Sequence, residues 1–408
     1  MKARLLLIGI LALITSCQND DGDSIITKER KDIPLSRSEE VLAEETMDFA
    51  FRLFRQVNDS ETKKANWIIS PFSASMALGM LTNGAAGNTL EDMKSTLGFS
   101  DFNLEGMNAY YQKLIAELLD LDNSTRLNIA NSIWVNKGFQ LYDTFVDVNQ
   151  KTYHAKVSNL DFTSPDATAT INGWCADNTN QAIKEATGSI PLEGNVILIN
   201  ALYFKGIWKT KFKKSDTKEE MFTNTNGRTS KVPLMNLKEK FTYTYNDDFC
   251  IAEFPYGNAA FSMVVLLPAE GKTLEESLDK LTYDNWKKWY EQRYLQSLLV
   301  KLPRFEMDYR ENLTDDLRAM GMDEAFNMEK ADFSNMSPDA LYFSLMEQLT
   351  YIKVDEEGTE AAAVSKVSGI TAPTPNVPEP FYVDRPFAFM IKEQSTGTIL
   401  FMGKVTEL

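Results

Sequence analysis

A proline boundary near the C-terminus constrains this chain more than any other feature. From Val354 to Ala372 there is no proline; Pro373, Pro375, Pro378 and Pro380 then arrive together. Proline has no N–H to give a β-ladder, so a central strand does not contain it. The first half of residues 354–386 can therefore enter a sheet and the second half cannot. Both flanks, 351–354 (YIKV) and 381–383 (FYV), are strand-like, which argues against a disordered Ala/Ser linker. A connection this long with no element of its own is uncommon in a compact domain unless it has a task.

Side-chain parity sharpens the point, because successive residues of a strand point to opposite faces. Thr359, Ala361, Ala363, Ser365, Val367, Gly369 and Thr371 share one face and are small or medium and uncharged, whereas Glu360 and Lys366 fall on the other. A strand laid in with its odd face inward buries no charge.

The chain has 408 residues, enough for one large domain or two ordinary ones, and its 43% hydrophobic content supports a substantial core. A net charge of -16 argues against a nucleic-acid or anionic-membrane surface and equally disfavours a polyanionic cofactor. Residues 1–17 (MKARLLLIGILALITSC) carry a basic start and a short apolar run, which reads as a signal peptide. Its ending at Cys17 resembles the lipobox of bacterial lipoproteins, with Cys17 as the lipidated residue. Residues 18–40 are polar and charged and read as a tether. The expected location is exported: lipid-anchored at the outer membrane or cell surface, or extracellular. Of the remaining cysteines, Cys175 and Cys250 lie in apolar contexts and are expected to be buried thiols, although pairing between them is open.

Along the chain, an apolar stripe predicts a helix over 41–57, a short strand stops at Ser70-Pro71, and a helix after Ser73 runs to a glycine-rich turn and restarts with Thr89 as its cap. Strands are expected at 127–135, 196–204, 261–267 and 297–302, with a hairpin turn at 395–398. Nothing resembles a second-domain linker, so 41–408 is expected to be a single α+β domain.

Several separated blocks, in order, resemble the serpin family of serine protease inhibitors. They include NWIISPFS (66–73), NSIWV (131–135), NALYFKGIW (200–208), LPRF (302–305), EEGTEAAA (356–363) and FYVDRPFAFMI (381–391). The resemblance runs from about residue 39 to the end. It implies a serpin fold with three β-sheets, about nine helices and an exposed reactive-centre loop over about 356–380, in a monomer needing no cofactor. It also implies a suicide substrate: a target protease cuts the loop, forms an acyl-enzyme, and is trapped when the freed segment enters the main sheet. Gly358, Thr359, Glu360, Ala361, Ala362 and Ala363 are then the hinge that starts insertion. Asn66, Ser70, Pro71, Ser73, Asn200 and Gln348 belong to the polar shutter beneath the opening strands, and Trp208 to the breach at the entry point. Gln348 stands where many members have His, and an amide still donates and accepts.

The cleaved bond is bounded by the prolines. Counting from Gly358 by family spacing puts the residue before the cut at Ala372, but Pro373 makes that a poor site. Thr371-Ala372 or Ile370-Thr371 suits elastase-like or subtilisin-like proteases. Lys366-Val367 suits trypsin-like ones, and papain-like enzymes are a further class of target. A cut after Lys366 inserts only roughly 30 Å of strand, against about 46 Å for a cut after Thr371. A non-inhibitory surface binding protein, or a mere protease substrate, is the alternative reading. Enzyme readings have little support: His154 is the sole histidine and no G-x-S-x-G, metal-ligand spacing or phosphate-binding glycine loop occurs.

Overall fold

The computed structural model describes residues 28–185, 190, 196–359 and 378–408. Among them are nine α-helices and fifteen strands. In chain order these begin α1 (Arg37–Ser60), β1 (Trp67–Ile69), α2 (Pro71–Thr82), α3 (Gly87–Leu97), α4 (Leu104–Asp120), β2 (Thr125–Asn136), α5 (Asp143–Tyr153), β3 (Lys156–Leu160), α6 (Ala167–Asn178) and β4 (Val196–Ile207). There follow β5 (Lys218–Thr223), β6 (Thr229–Tyr245), β7 (Phe249–Pro255), β8 (Phe261–Pro268), α7 (Leu274–Leu278), α8 (Tyr283–Glu291), β9 (Tyr294–Pro303), β10 (Phe305–Asn312) and α9 (Thr314–Ala319). The last five are β11 (Phe343–Asp355), β12 (Gly358–Thr359), β13 (Glu379–Tyr382), β14 (Phe387–Glu393) and β15 (Ile399–Val405).

The strands form two sheets. One has six strands in the order β10-β11-β12-β4-β2-β3, and the other has nine, running β1-β15-β14-β8-β7-β6-β9-β13 with β5 on β6. The expected third sheet is not separate. The 17-residue β6 pairs in succession with β5, β9 and β7, so what would be two sheets share one continuous strand. The 395–398 turn joins β14 to β15 as expected, and Gly397 takes a positive φ there that a side chain would resist.

Three local expectations need correction. The first helix starts at Arg37, before residue 41, because Ser36 and Glu39 close a reciprocal capping box. Nor is the preceding segment a free tether throughout. Ile33 is only 5% exposed against the core, its N–H donates to the Ser395 hydroxyl at 2.9 Å, and the Lys28 ammonium meets Asp120. Thr89 does not cap a helix: α3 starts after Ala86, and the Thr89 hydroxyl accepts from the Asp332 N–H at 3.0 Å.

The large core lies between the two sheets and the helices packed on them, and α2 runs through it with all twelve residues buried. A smaller apolar cluster, with Trp134, Ile171, Cys175, Ile199 and Leu349, lies between α6 and the outer face of the six-stranded sheet. Cys175 and Cys250 are free; Cys175 is buried, which pushes its thiol up to about 12, while Cys250 is half-buried. His154 is exposed at the end of α5.

Candidate functional site at the parted strands

In the six-stranded sheet β4 and β11 are parallel neighbours over Val196–Leu202 and Phe343–Thr350. Beyond that point they part, and β12 occupies the gap. Gly358 and Thr359 pair antiparallel with Asp355 and Val354 of β11 on one side and with Ile207 and Gly206 of β4 on the other. The chain leaves β11, turns at Glu356-Glu357, and starts a new central strand. Only glycine can make that entry: Gly358 has φ +150°, and a Cβ there would lie 2.0 Å from the Gly206 carbonyl oxygen.

Every residue of the turn is held. The Trp208 indole N–H donates to the Asp355 carbonyl at 2.8 Å, and the backbone N–H groups of Trp208 and Phe212 donate to the carbonyls of Glu357 and Glu356. Trp208 itself stacks on Tyr256, with ring centroids 4.5 Å apart and nearly parallel planes. Tyr256 and Thr359 share a hydrogen bond of 2.6 Å between their hydroxyls, so Thr359, 1% exposed, points inward. The Glu356 carboxylate, 1% exposed as a residue, accepts from the Arg304 guanidinium and from the Thr217 hydroxyl. Burial acts to raise its pKa, but these donors outweigh burial and hold it below the usual carboxylate value. Glu357 accepts from Lys211 at 2.8 Å and lies 3.5 Å from Lys214; the Lys211 hydrogen bond leads in lowering its pKa.

Below the gap the seam is tied by amides and hydroxyls. Gln348 of β11 faces Ser70, the N-cap of α2: its side-chain oxygen accepts the Ser70 N–H at 2.7 Å and its NH₂ donates to the Ser70 carbonyl at 2.7 Å. The Ser70 hydroxyl donates to the Leu400 carbonyl of β15 at 2.6 Å, and also accepts the Ser73 N–H at 3.3 Å. Pro71 occupies the first turn of α2, where its missing N–H costs nothing. Asn200 of β4 is the register partner of Gln348, and its NH₂ donates to Asn131 on β2 at 2.5 Å. The Asn200 side-chain oxygen, Oδ1, and the Ser73 hydroxyl are buried without a hydrogen-bond partner among the described residues.

Six of the residues picked out by sequence thus line one seam: Ser70, Pro71, Ser73, Asn200 and Gln348 below, and Trp208 at the opening. Asn66 stands apart from them. It pins the C-terminus, donating to the Glu407 carbonyl and accepting the Thr406 N–H at 2.7 Å. Gly358 and Thr359 are the described part of the hinge. Glu360, Ala361, Ala362 and Ala363, the bond candidates Lys366, Ile370, Thr371 and Ala372, and Cys17 lie outside the described residues. No local pattern marks Tyr256, Thr217 or Arg304, although Arg304 and Glu356 fall inside blocks quoted above. Among the described residues no group of three His, Cys, Asp or Glu side chains could hold a metal.

A model of the family described as serpin (serine protease inhibitor) matches residues 44–408. The chain belongs to the serpin family. Known relatives of this serpin include the human leukocyte elastase inhibitor, 35% identical over 379 residues, with 90% of this chain and 99% of that protein covered. Leukocyte elastase inhibitor A of Rattus norvegicus is 34% identical over 371 residues, covering 88% and 97%. Among solved structures, the thermophilic serpin tengpin in its native state superposes with a TM-score of 0.84 at 31% identity, covering 93% of this chain and 97% of that one. Thyroxine-binding globulin in complex with thyroxine gives 0.81 at 26% identity, covering 90% and 99%.

Proposed function

We propose that this serpin inhibits serine proteases as a substrate consumed in the act, with elastase-like or subtilisin-like enzymes as its targets. The observation that carries the reading is the seat of β12. Gly358 and Thr359 already pair with both β4 and β11, and the residues at every second position of the sequence after Thr359, Ala361, Ala363 and Ser365, are small and uncharged. A protease attacking the loop between Ile370 and Ala372 forms an ester between its serine and the carbonyl of the residue before the cut, and the amine of the next residue leaves as a new N-terminus. The tethered segment then zips down the gap, each residue adding ladder hydrogen bonds, and carries the acylated protease with it. Inhibition follows when this movement outpaces hydrolysis of the ester. The elastase inhibitors among the relatives support the choice of target, as do the small residues of that window.

Mixing residues 18–408 with pancreatic or neutrophil elastase should yield a complex that survives SDS. Cleaved inhibitor alone, with every elastase, subtilisin and trypsin-like protease tried, would sink the proposal and favour a non-inhibitory binding role. The reading extends to an exported, lipid-anchored protein, for which the signal-like residues 1–17 are the support. Metabolic labelling with a fatty-acid analogue should mark the full chain, and Cys17→Ser should abolish the label; equal labelling of both would refute the anchor.

A further inference from the structure

A tyrosine hydroxyl has one hydrogen to give, and that of Tyr309 stands between two carboxyl groups. Its oxygen is 3.0 Å from Oε2 of Glu61 and in hydrogen-bond contact with Oε2 of Glu311. Tyr309 and Glu311 are two positions apart on β10, so they share a face of the strand. Tyr309 is buried, Glu311 is half-buried, and Glu61 is the residue that caps the end of α1. With both carboxyls ionised, one of them faces a phenol lone pair with no hydrogen between. A single added proton removes the conflict. The protonated carboxyl then donates to the Tyr309 oxygen, the Tyr309 O–H donates to the other carboxylate, and every donor meets an acceptor.

The neighbours decide which carboxyl holds the proton. The other oxygen of Glu61 accepts the backbone N–H groups of Lys63 and Lys64 at 2.8 and 3.1 Å, bonds that favour an anion. Burial acts to raise the Glu61 pKa, but these donors and Tyr309 outweigh it, and the value falls. Glu311 has Tyr309 as its one hydrogen-bond partner among the described residues. Burial leads in raising its pKa, and the carboxylates of Asp316 and Glu61 add to the rise against Tyr309 and Lys64. Asp316 comes from α9 and accepts from Ser60 and Gln56 of α1 at 2.7 and 3.3 Å. Lys64 is exposed; its ammonium lies 4.0 Å over the Tyr309 ring and donates to the Arg310 carbonyl at 3.1 Å. On β11 the residue opposite Glu311 is Gln348, which does not titrate. Arg310 and Glu347 alternate to the other face, and Asp315 of α9 pairs with Arg318.

We infer that Glu311 is an acid–base switch on the outer strand of the six-stranded sheet: as a neutral acid it completes a hydrogen-bond chain through Tyr309 to Glu61 that ties β10 to the end of α1, and on ionising it breaks that chain. The clip flanks the closed seam, because Glu311 lies opposite Gln348, whose amide bridges to Ser70. The sign follows from the raised folded-state pKa. The stability that Glu311 confers is complete below the unfolded value of about 4.3 and is lost as pH rises through the folded one. Mild acid fastens β10 and alkali loosens it, the reverse of the response set by Glu356, whose pKa is lowered.

Glu311→Gln keeps a donor for the Tyr309 oxygen at every pH, so it stands for the protonated state. Melting of the wild type and of this variant is followed by circular dichroism at a fixed scan rate from about pH 4 to about pH 8. The two should run together at the acid end. As pH rises the wild type should fall behind, by up to about tenfold in the folded-to-unfolded ratio, or about 2 °C, for each pH unit until Glu311 is ionised. The ¹³C signal of the Glu311 carboxyl, assigned by its absence from the variant, should titrate above about 4.3. Tyr309→Phe separates the hydrogen-bond chain from burial alone. It removes the acceptor for the Glu311 proton, so Glu311 should titrate lower than in the wild type; a carboxyl raised only by burial loses a donor and titrates higher. Parallel melting curves, or a wild-type titration at or below about 4.3, would overturn the switch. A titration that Tyr309→Phe leaves unchanged or raises would overturn the chain through Tyr309.

Discussion

Gln348 offers the clearest test of how the closed seam is held. Its amide makes two hydrogen bonds of 2.7 Å to the backbone of Ser70, in a site that is fully buried. Truncation to alanine removes both. The Ser70 carbonyl keeps a partner, the Ala74 N–H at 3.0 Å, but the Ser70 N–H is left buried without one. A neutral hydrogen bond contributes about 1 kcal/mol net, and an orphaned buried donor costs about 1–3 kcal/mol. A loss of about 3 kcal/mol is therefore expected for Gln348→Ala. With an unfolding entropy near 2.1 cal/mol/K for each of roughly 350 ordered residues, the intact chain should melt about 4 °C lower, by circular dichroism at a fixed scan rate. Gln348→Met fills most of the space with no polar atom and isolates the hydrogen bonds from the cavity; about two-thirds of the loss should remain. A Gln348→Met chain that melts with the wild type would refute the reasoning, because the amide bridge would then contribute nothing.

Two further outcomes follow from the opening of the seam. Gly358→Val puts a side chain against the Gly206 carbonyl and should expel β12, so that elastase cleaves the chain while trapping falls at least tenfold, read as the moles of inhibitor consumed per mole of protease. The Glu356 carboxylate has a lowered folded-state pKa, so the stability it confers is complete above the unfolded value of about 4.3 and is lost as pH falls through the lower, folded one. Melting of Glu356→Gln should accordingly lie below wild type at neutral pH and converge with it toward pH 3; a constant gap between the two curves would contradict the assignment.

Much of this molecule is legible residue by residue. The runs at 127–135, 196–204, 261–267 and 297–302 all form strands, β2, β4, β8 and β9; the first announces itself by alternation, while 196–204 and 261–267 are continuous apolar runs that the structure buries on both faces. Ser70, Pro71, Ser73 and Asn200 stand in family-like blocks and Gln348 where many members have His, and the structure shows what the amide does there: it supplies one donor and one acceptor to Ser70. What escaped notice depends on partners far away in the chain. Glu356 reads as one more acidic residue in an acidic chain until Arg304 and Thr217 reach it from 52 and 139 positions away. Tyr256 is an ordinary aromatic until it meets Thr359, 103 positions on. The continuous β6 was missed because much of it is exposed and charged, so its pattern does not announce a 17-residue strand. The docked segment around Ile33 is not marked in the sequence because the two apolar residues that pack there, Ile33 and Leu35, sit in a polar run with no helical or strand periodicity.

The place of β14 and β15 sets an order of events at birth. These two strands, 387–405, lie inside the nine-stranded sheet, and β1 can pair only with β15, more than three hundred positions later. At about 5–20 residues per second, β1 waits tens of seconds on the ribosome for its neighbour. Helices such as α1 and α2 can form meanwhile, but the sheet cannot close until the last residues emerge. The closing of β15 against β1, with Asn66 fastening residues 406 and 407, is then the step that completes the nine-stranded sheet of a newborn chain.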